Sequence, residues 1–469
     1  MFFQQFVLES LGHASYMIGD EKTGRALVLD PRRDVDVYFD YARSKGLRVE
    51  HALDTHGHND YLSGLQEIAA RQNVELLGYA DAKLGYDHRP VKDEEILEMG
   101  DVRFEVIHTP GHTPEHISLL VYDGAESSEP ALMLSGGALL VGDLARPDLL
   151  GGAEQAKEAA TEFCHTIQEK ILWQLPDHVE VFPTHVAGSL CGGNIGSRLS
   201  TTLGYERKTN AILARVSSSE EFVDECIRLD NLPAVPPYWR RMREQNLAGA
   251  ALLGILGEPP ALQPDEVEDL QARGAVVLDT RSPEAFSGAH VPGALSVGLG
   301  SSFPTWAGTV LSEKAEVILV LEDPHDLWVA TWELLRIGYS PPVGWLAGGM
   351  QAWRTSGREL AALPLIDADQ LRRGVEKSAL TVLDVRQPAE RASGHISGSQ
   401  FITGAELPER VDEVPTEKPV AVICGSGFRS ATLASLLKHE GRERIFSVIG
   451  GMSAWQASGY DTSKEEGTD

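Results

Sequence analysis

Thr55-His56-Gly57-His58-Asn59-Asp60-Tyr61-Leu62-Ser63-Gly64 sets three side chains able to ligate a metal, His56, His58 and Asp60, on alternating positions behind a strand-like run that ends in Asp54-Thr55-His56. Upstream, residues 15–18 and 26–30 read as strands around the polar turn 19–24, and residues 35–45 read as a helix. A strand, a helix and a strand with a polar cluster at its C-terminal end is where α/β folds place their chemistry. Further strands run to His108 and to Gly142-Asp143, and Thr109-Pro110-Gly111-His112-Thr113 and Pro183-Thr184-His185 add ligand-type residues at or just past strand ends. One isolated histidine reads as a core or surface residue; a whole set at strand ends reads as a site.

A chain of 469 residues is too long for a single core, and at about 150 residues per domain it divides into three. Hydrophobic residues at 42% and charged ones at 23% leave little room for long disordered segments. The net charge of −28 repels nucleic acid and anionic membrane surfaces, so neither is expected as a partner. Apolar stretches at 131–141 and 247–256 are broken by glycine and fall well short of the ~20 residues of a membrane span. Met1-Phe2-Phe3-Gln4-Gln5 has no basic segment leading into an apolar one, which makes the cytoplasm the expected location. Cys164, Cys191, Cys226 and Cys424 form no CxxC pair; disulfides and structural zinc are not expected, and a cysteine with a role here works as a thiol. Cys164 and Cys226 read as packing residues on helices.

Residues 197–246 read as helical and charged, interrupted by Pro233-Ala234-Val235-Pro236-Pro237, and Gly257-Glu258-Pro259-Pro260 marks a boundary. Beyond it the chain repeats. Leu278-Asp279-Thr280-Arg281 with Gly288-Ala289-His290 recurs as Leu383-Asp384-Val385-Arg386 with Ser393-Gly394-His395, and Gly348-Gly349-Met350-Gln351-Ala352-Trp353 recurs as Gly450-Gly451-Met452-Ser453-Ala454-Trp455. Copies about a hundred residues apart are tandem domains, because solenoid repeats recur every ~20–50 residues.

The metal-type residues resemble those of the metallo-β-lactamase superfold, whose HxHxD segment and later His, Asp and His surround one or two metals. The resemblance covers about residues 1–200 and leaves the reaction open. The superfold's usual HxHxDH motif ends in a histidine that serves a second metal; here that residue is Tyr61. A phenol with a pKa near ~10 is a poor substitute for imidazole, which disfavours a two-zinc hydrolase. Residues 142–149, Gly-Asp-Leu-Ala-Arg-Pro-Asp-Leu, and residues 185–192, His-Val-Ala-Gly-Ser-Leu-Cys-Gly, look like the persulfide dioxygenase branch, with Ala145 where that branch more often has glycine. That resemblance implies one Fe(II) on His56, His112 and Asp143, the facial arrangement of non-haem iron oxygenases. His58, Asp60, Tyr61, Arg146 and His185 become groups that orient ligands or face substrate. Zinc stays open with His58 as a fourth ligand, and Cys191 is either a packed hydrophobe or a thiol that relays persulfide sulfur.

In the second repeat, the strand-like 420–423 runs into Cys424-Gly425-Ser426-Gly427-Phe428-Arg429-Ser430 and a helix. A cysteine wrapped by a Gly-rich loop at a helix N-terminus meets N–H dipoles that stabilise a thiolate or persulfide, and Arg429 adds a fixed charge. This closely resembles the rhodanese active-site loop. In the first copy Glu322-Asp323-Pro324-His325-Asp326 occupies the corresponding loop, with no nucleophile and carboxylates where an anion should sit. The expected fold class is therefore α/β, an N-terminal metallo-β-lactamase αββα sandwich plus two tandem rhodanese-like domains. The expected division is 1–257 for the dioxygenase-like domain with its helical extension, 258–360 for a pseudo-rhodanese and 361–469 for an active rhodanese. The resemblance implies oxidation of a glutathione, coenzyme A or bacillithiol persulfide by O2 to sulfite, coupled to thiosulfate formation or use at Cys424. A zinc thioester hydrolase of the glyoxalase II kind fused to a sulfurtransferase, and a non-catalytic metal-binding persulfide carrier, are the alternatives. A homo-oligomer is the expected assembly.

Overall fold

The structure is a computed structural model that describes residues 1–71, 73–228 and 232–464. Residues 229–231 of the expected helical extension and the last five of the expected third domain lie outside the described residues. The chain forms two compact units, one of Met1–Pro233 with Trp239–Gly254, the other of Ala234–Tyr238 with the chain from Ile255 onward.

In the first unit two mixed six-stranded sheets face each other. One runs, edge to edge, Phe2–Leu8, His13–Asp20, Arg25–Leu29, Arg48–Leu53, Glu75–Tyr79 and Arg89–Val91. The other runs Thr201–Thr202, Glu180–Pro183, Leu132–Gly136, Ile117–Asp123, Val102–His108 and Ile96–Met99. Successive side chains of a strand point to opposite faces, and the packing follows that period. Tyr16, Leu27, Leu29 and Leu53 meet Phe104, Leu119, Leu134 and Phe182 between the sheets. Their neighbours Met17 and Val28 turn outward to Tyr38 and Ile68, carried by the helices Asp36–Ser44 and Leu65–Arg71. On the far side, Leu120 and Met133 pack on Phe163 and Cys164 of helix Ala153–Thr166 and on Phe222 and Cys226 of helix Ser219–Cys226. The result is an αββα sandwich, with Cys164 and Cys226 as core residues.

One expected strand is shorter than the apolar run suggests. The chain leaves the sheet at Gly136, and residues 137–143 form a loop down to Asp143 rather than a strand. Gly136 has φ +56°, and a Cβ there would come within 2.5 Å of His116 Nε2 and 2.8 Å of Thr55 Oγ1, so the departure is built around a glycine.

The second unit holds two five-stranded parallel sheets of the same order. The first is Ala261–Leu262, Gly344–Leu346, Val317–Val320, Val276–Asp279 and Leu295–Ser296; the second is Leu365–Ile366, Ile445–Val448, Val420–Ile423, Thr381–Asp384 and Gln400–Phe401. The repeated motifs are scaffold in both copies. Arg281 forks onto Asp279 at 2.9 and 2.6 Å and reaches the Ala289 carbonyl; Arg386 forks onto Asp384 at 2.9 and 2.7 Å and reaches the Gly394 carbonyl. Each pair ties a strand end to the helix that follows. Trp353 and Trp455 are buried, and each indole N–H donates to a carbonyl six residues on, Glu359 and Asp461. Among the described residues no helix is long and apolar enough to cross a membrane.

Removing one partner of a buried ion pair costs about 3–5 kcal/mol. Arg386→Ala is therefore expected to lower the unfolding free energy of the second copy by that amount, read as a lower urea midpoint by near-ultraviolet circular dichroism. An unchanged midpoint would refute the scaffold role of the pair.

Candidate metal centre and thiol loop

The first unit's site is assembled where strands of both sheets end. Arg25–Leu29 delivers Asp30, Arg48–Leu53 delivers Thr55 and the 56–61 loop, Val102–His108 leads to His112, and Glu180–Pro183 leads to Thr184 and His185. Asp30, whose φ of +50° is unusual for a residue with a side chain, sits fully buried in the middle. Its carboxylate accepts from the Thr55 N–H at 2.6 Å, Thr55 Oγ1 at 3.0 Å, His58 Nε2 at 3.0 Å and Thr184 Oγ1. Its carbonyl accepts from His13 Nε2 at 2.9 Å and the Tyr61 hydroxyl at 3.3 Å.

These bonds fix tautomers. The single hydroxyl proton of Thr55 goes to Asp30, so Thr55 Oγ1 accepts from His56 Nδ1 at 2.8 Å and leaves His56 Nε2 with its lone pair. His112 Nδ1 donates to the Arg146 carbonyl at 2.8 Å, and His112 Nε2, though buried, has no hydrogen-bond partner among the described residues. His185 Nε2 lies 3.4 Å from His56 Nε2. His56, His112 and His185 each present a ligand atom, all within 4.8 Å of one another and all buried. Burial and neighbouring imidazoles hold His56 well below its ordinary pKa and His112 at about 3, so both are neutral at pH 7. For His185 burial works the same way, but the Cys191 sulfur and the Asp60 carboxylate overcome it and hold the ring well above its ordinary value. Converging lone pairs, an orphaned buried nitrogen and a third imidazole that attracts positive charge fit a divalent cation.

His56 and His112 of the expected ligand set are thus brought together, and His185, expected to face substrate or orient ligands, lies in the same close group. The Asp143 carboxylate accepts from the backbone N–H groups of Leu144 at 2.9 Å and Asn194 at 2.6 Å, and burial raises its pKa. His58 is engaged by Asp30 and forms a second close group with Asp30 and Asp54. Asp60, His185 and Cys191 form a third. Burial raises the Asp60 carboxyl, yet hydrogen bonding and charge from His185 bring it down to about 2. Tyr61 is fully buried, its ring 4.2 Å from His13 and 4.6 Å from His58, and burial with nearby carboxylates lifts its pKa well above the ordinary value. Arg146 forks onto Asp148 at 2.7 Å and donates to the Pro233 carbonyl at 2.6 Å, so it pins loops rather than standing free. Asp30, Thr55 and His116, whose Nε2 accepts from the Gly137 N–H at 2.7 Å, were not singled out from the sequence. The strand-end signal that marked the histidines applies equally to Asp30.

In the second unit, Cys424 follows strand Val420–Ile423 and is fully buried, its Sγ accepting from the Gly427 N–H at 3.1 Å. Gly425, Ser426 and Gly427 make the turn into helix Phe428–His439, Gly427 with φ +105°. The Gly-Gly-Met motif supports this loop from below: the Met452 and Ser453 N–H groups donate to the carbonyls of Cys424 at 2.8 Å and Gly425 at 3.0 Å. A Cβ on Gly451 would lie 2.3 Å from the Cys424 carbonyl oxygen, so no other residue fits. Arg429 is held by a two-pronged ion pair, both nitrogens 2.6 Å from the Glu390 carboxylate, and also lies against the Cys424 sulfur. Glu390 is a second group not foreseen from the sequence. In the first copy Pro324–Asp326 forms a short 3-10 turn, and Asp323 Oδ1 accepts from the His325 N–H at 2.9 Å and pairs with its ring.

Comparison with known proteins finds relatives for both units. The rhodanese-like domain family matches residues 263–356 and 367–458. The crystal structure of a metallo-β-lactamase from Staphylococcus aureus subsp. aureus COL is 32% identical with a TM-score of 0.66, covering 74% of this chain and 98% of that one. Hydroxyacylglutathione hydrolase of Xanthomonas euvesicatoria pv. vesicatoria is 38% identical over 102 residues, 22% of this chain, and the match spans 39% of that protein's length. Thiosulfate sulfurtransferase GlpE of Pseudoalteromonas translucida is 31% identical over 84 residues, 18% of this chain and 80% of that protein.

Outer partners of metal ligands are worth about 10–100-fold in metal affinity. Asp30→Ala, which strips the acceptor from Thr55, Thr184 and His58, is expected to weaken Zn(II) or Co(II) binding by that factor in chelator competition. Wild-type affinity in the variant would show that the Asp30 network does not orient the site.

Proposed function

The chain belongs to the metallo-β-lactamase-fold family in its first unit and to the rhodanese family in its second, and from that premise we propose that it oxidises a low-molecular-weight thiol persulfide to sulfite and exchanges sulfur with sulfite at Cys424. The overall oxidation is balanced as one persulfide, one O2 and one water giving the free thiol, sulfite and two protons. The observation that carries the reading is Tyr61. A neutral phenol, buried and donating to the Asp30 carbonyl, replaces the histidine a second metal would need, which supports a single metal. Bound there, one Fe(II) would supply redox chemistry toward O2 that zinc lacks.

His56 and His112 would hold the ion through the nitrogens left free by their Nδ1 hydrogen bonds, with Asp143 as anionic donor. His185, kept receptive to a proton by Cys191 and Asp60, would face the substrate and steady the charge of a persulfide anion. At the second centre, the Cys424 thiolate attacks the outer sulfur of a thiol persulfide and expels the thiolate. Sulfite then takes that sulfur from the Cys424 persulfide, forming thiosulfate and restoring the thiolate; the same steps run in reverse. The Gly427 N–H stabilises sulfur anions at each stage, and Arg429 balances their charge. We divide the chain at 257/258 and 360/361, with the middle copy as a domain that spaces or docks the active ones. Keeping both centres on one chain raises the effective concentration of the shared intermediate.

A zinc-dependent thioester hydrolase is the second reading. The group of three imidazoles and the similarity to hydroxyacylglutathione hydrolase favour it.

Oxygen uptake by the Fe(II)-loaded chain on glutathione, coenzyme A and bacillithiol persulfides separates the two. Uptake with sulfite formation is expected and is to disappear when a chelator removes the metal; absent uptake with iron fully loaded, alongside hydrolysis of a glutathione thioester by the zinc form, would replace this reading by the second. Cys424→Ser is expected to abolish thiosulfate formation while leaving oxygen uptake intact, and thiosulfate formation that survives the substitution would exclude Cys424 as the sulfur carrier.

A further inference from the structure

Helix Trp239–Ala248 belongs to the first unit, although it lies well beyond His185 in sequence. Its buried Asn246 spends its whole side chain on the loop that follows His56. Asn246 Nδ2 donates to the His58 carbonyl at 2.9 Å and the Tyr61 carbonyl at 2.8 Å, and Asn246 Oδ1 accepts from the Ser63 N–H at 2.9 Å. Those peptide groups lie 188, 185 and 183 residues away in sequence. A second grip comes from one helical turn earlier. Arg243 pairs with Glu115 at 2.5 Å, and the same carboxylate accepts from the Gly57 N–H at 2.9 Å. Gly57 is pressed so closely that a Cβ would lie 3.1 Å from Arg243 Cγ and 3.2 Å from Leu247 Cδ2.

These contacts fall on the backbone at 57, 58, 61 and 63, so they bracket His56 on its C-terminal side while Thr55 and Asp30 hold its N-terminal side. The loop between strand Arg48–Leu53 and helix Leu65–Arg71, with so many ligand-type side chains, has several ways to collapse, and buried carbonyls without partners are costly. An amide is the side chain that can give two N–H bonds and take a third from a loop of this shape.

We propose that Asn246 is a positioning residue of the metal centre and that helix Trp239–Ala248, with the Arg243–Glu115 pair, is the clamp that holds His56 in its ligating place. The proposal rests on the reading of His56 as a ligand and is independent of which reaction the metal serves.

The test uses the full-length metal-free chain and Co(II) as the probe. Asn246→Asp keeps size and the acceptor for Ser63 but sets an oxygen against two carbonyls. It is expected to bind Co(II) about 10–100-fold more weakly in chelator competition, as loss of an outer partner does, and to shift the visible Co(II) bands. Thiosulfate:cyanide sulfurtransfer at Cys424 and the far-ultraviolet circular dichroism of the metal-free protein at room temperature are expected to stay at wild-type values, which a general loss of structure would not allow. Wild-type affinity and bands in Asn246→Asp would overturn the proposal. Should that variant fail to fold, Arg243→Gln decides: weaker Co(II) binding supports the clamp, and unchanged binding overturns it. A wild-type chain that binds no Co(II) would remove the metal reading itself, and the clamp with it.

Discussion

A carboxylate buried where two sheets end is the constraint around which the first unit is organised. Asp30 is taken from water entirely, a state that is affordable only when every lone pair is answered. The answers come from both sheets: Thr55 and His58 from the end of one strand, Thr184 from a strand of the opposite sheet, with His13 and Tyr61 on the backbone carbonyl. Charge-assisted bonds of this kind are short and directional. They therefore transmit the relative placement of the sheets directly into the orientation of His56, through one threonine hydroxyl.

The second unit shows the same separation of scaffold from chemistry in another form. Both copies keep the Asp–Arg fork at the strand end and the buried tryptophan after the Gly-Gly-Met turn, yet only one carries a cysteine in the loop between strand and helix. The fork closes a strand to its helix whether or not a thiol lies nearby, so its persistence in the copy with the 322–326 loop follows from folding alone. In the copy that carries Cys424, the Gly-Gly-Met turn has a further task, because the N–H groups of Met452 and Ser453 hold the carbonyls of the loop that bears the thiol.

Much of this was legible because the signals are local. Alternating ligands behind strands, the repeated motifs and the Cys424 loop are short patterns with a physical reason for their spacing, and they located the sheets, the tandem domains and the histidine cluster. Where reading went astray, a local signal was outweighed by a distant contact. The apolar run before Asp143 looks like a strand, but Gly136 must make room for His116 and Thr55, and the chain leaves the sheet there. The peptide N–H groups of Leu144 and Asn194 that hold the Asp143 carboxylate, and the closeness of His185 to His56 and His112, are likewise set by contacts that no local pattern announces. Glu390 carries no mark of its partnership with Arg429, 39 residues on. Asn246 ends a stretch that reads as helical and charged, and nothing near it in sequence announces the loop it holds.

The long reach of Asn246 has a consequence for biosynthesis. A growing chain exposes its metal-type residues at 56, 112 and 185 well before residue 246 has left the ribosome. During that interval the two sheets can assemble, but the loop between His56 and Ser63 lacks the three bonds that fix it. On the proposed role of Asn246, a product truncated just short of the helix would carry His56, His112 and His185 and lack the bonds that order the loop behind His56.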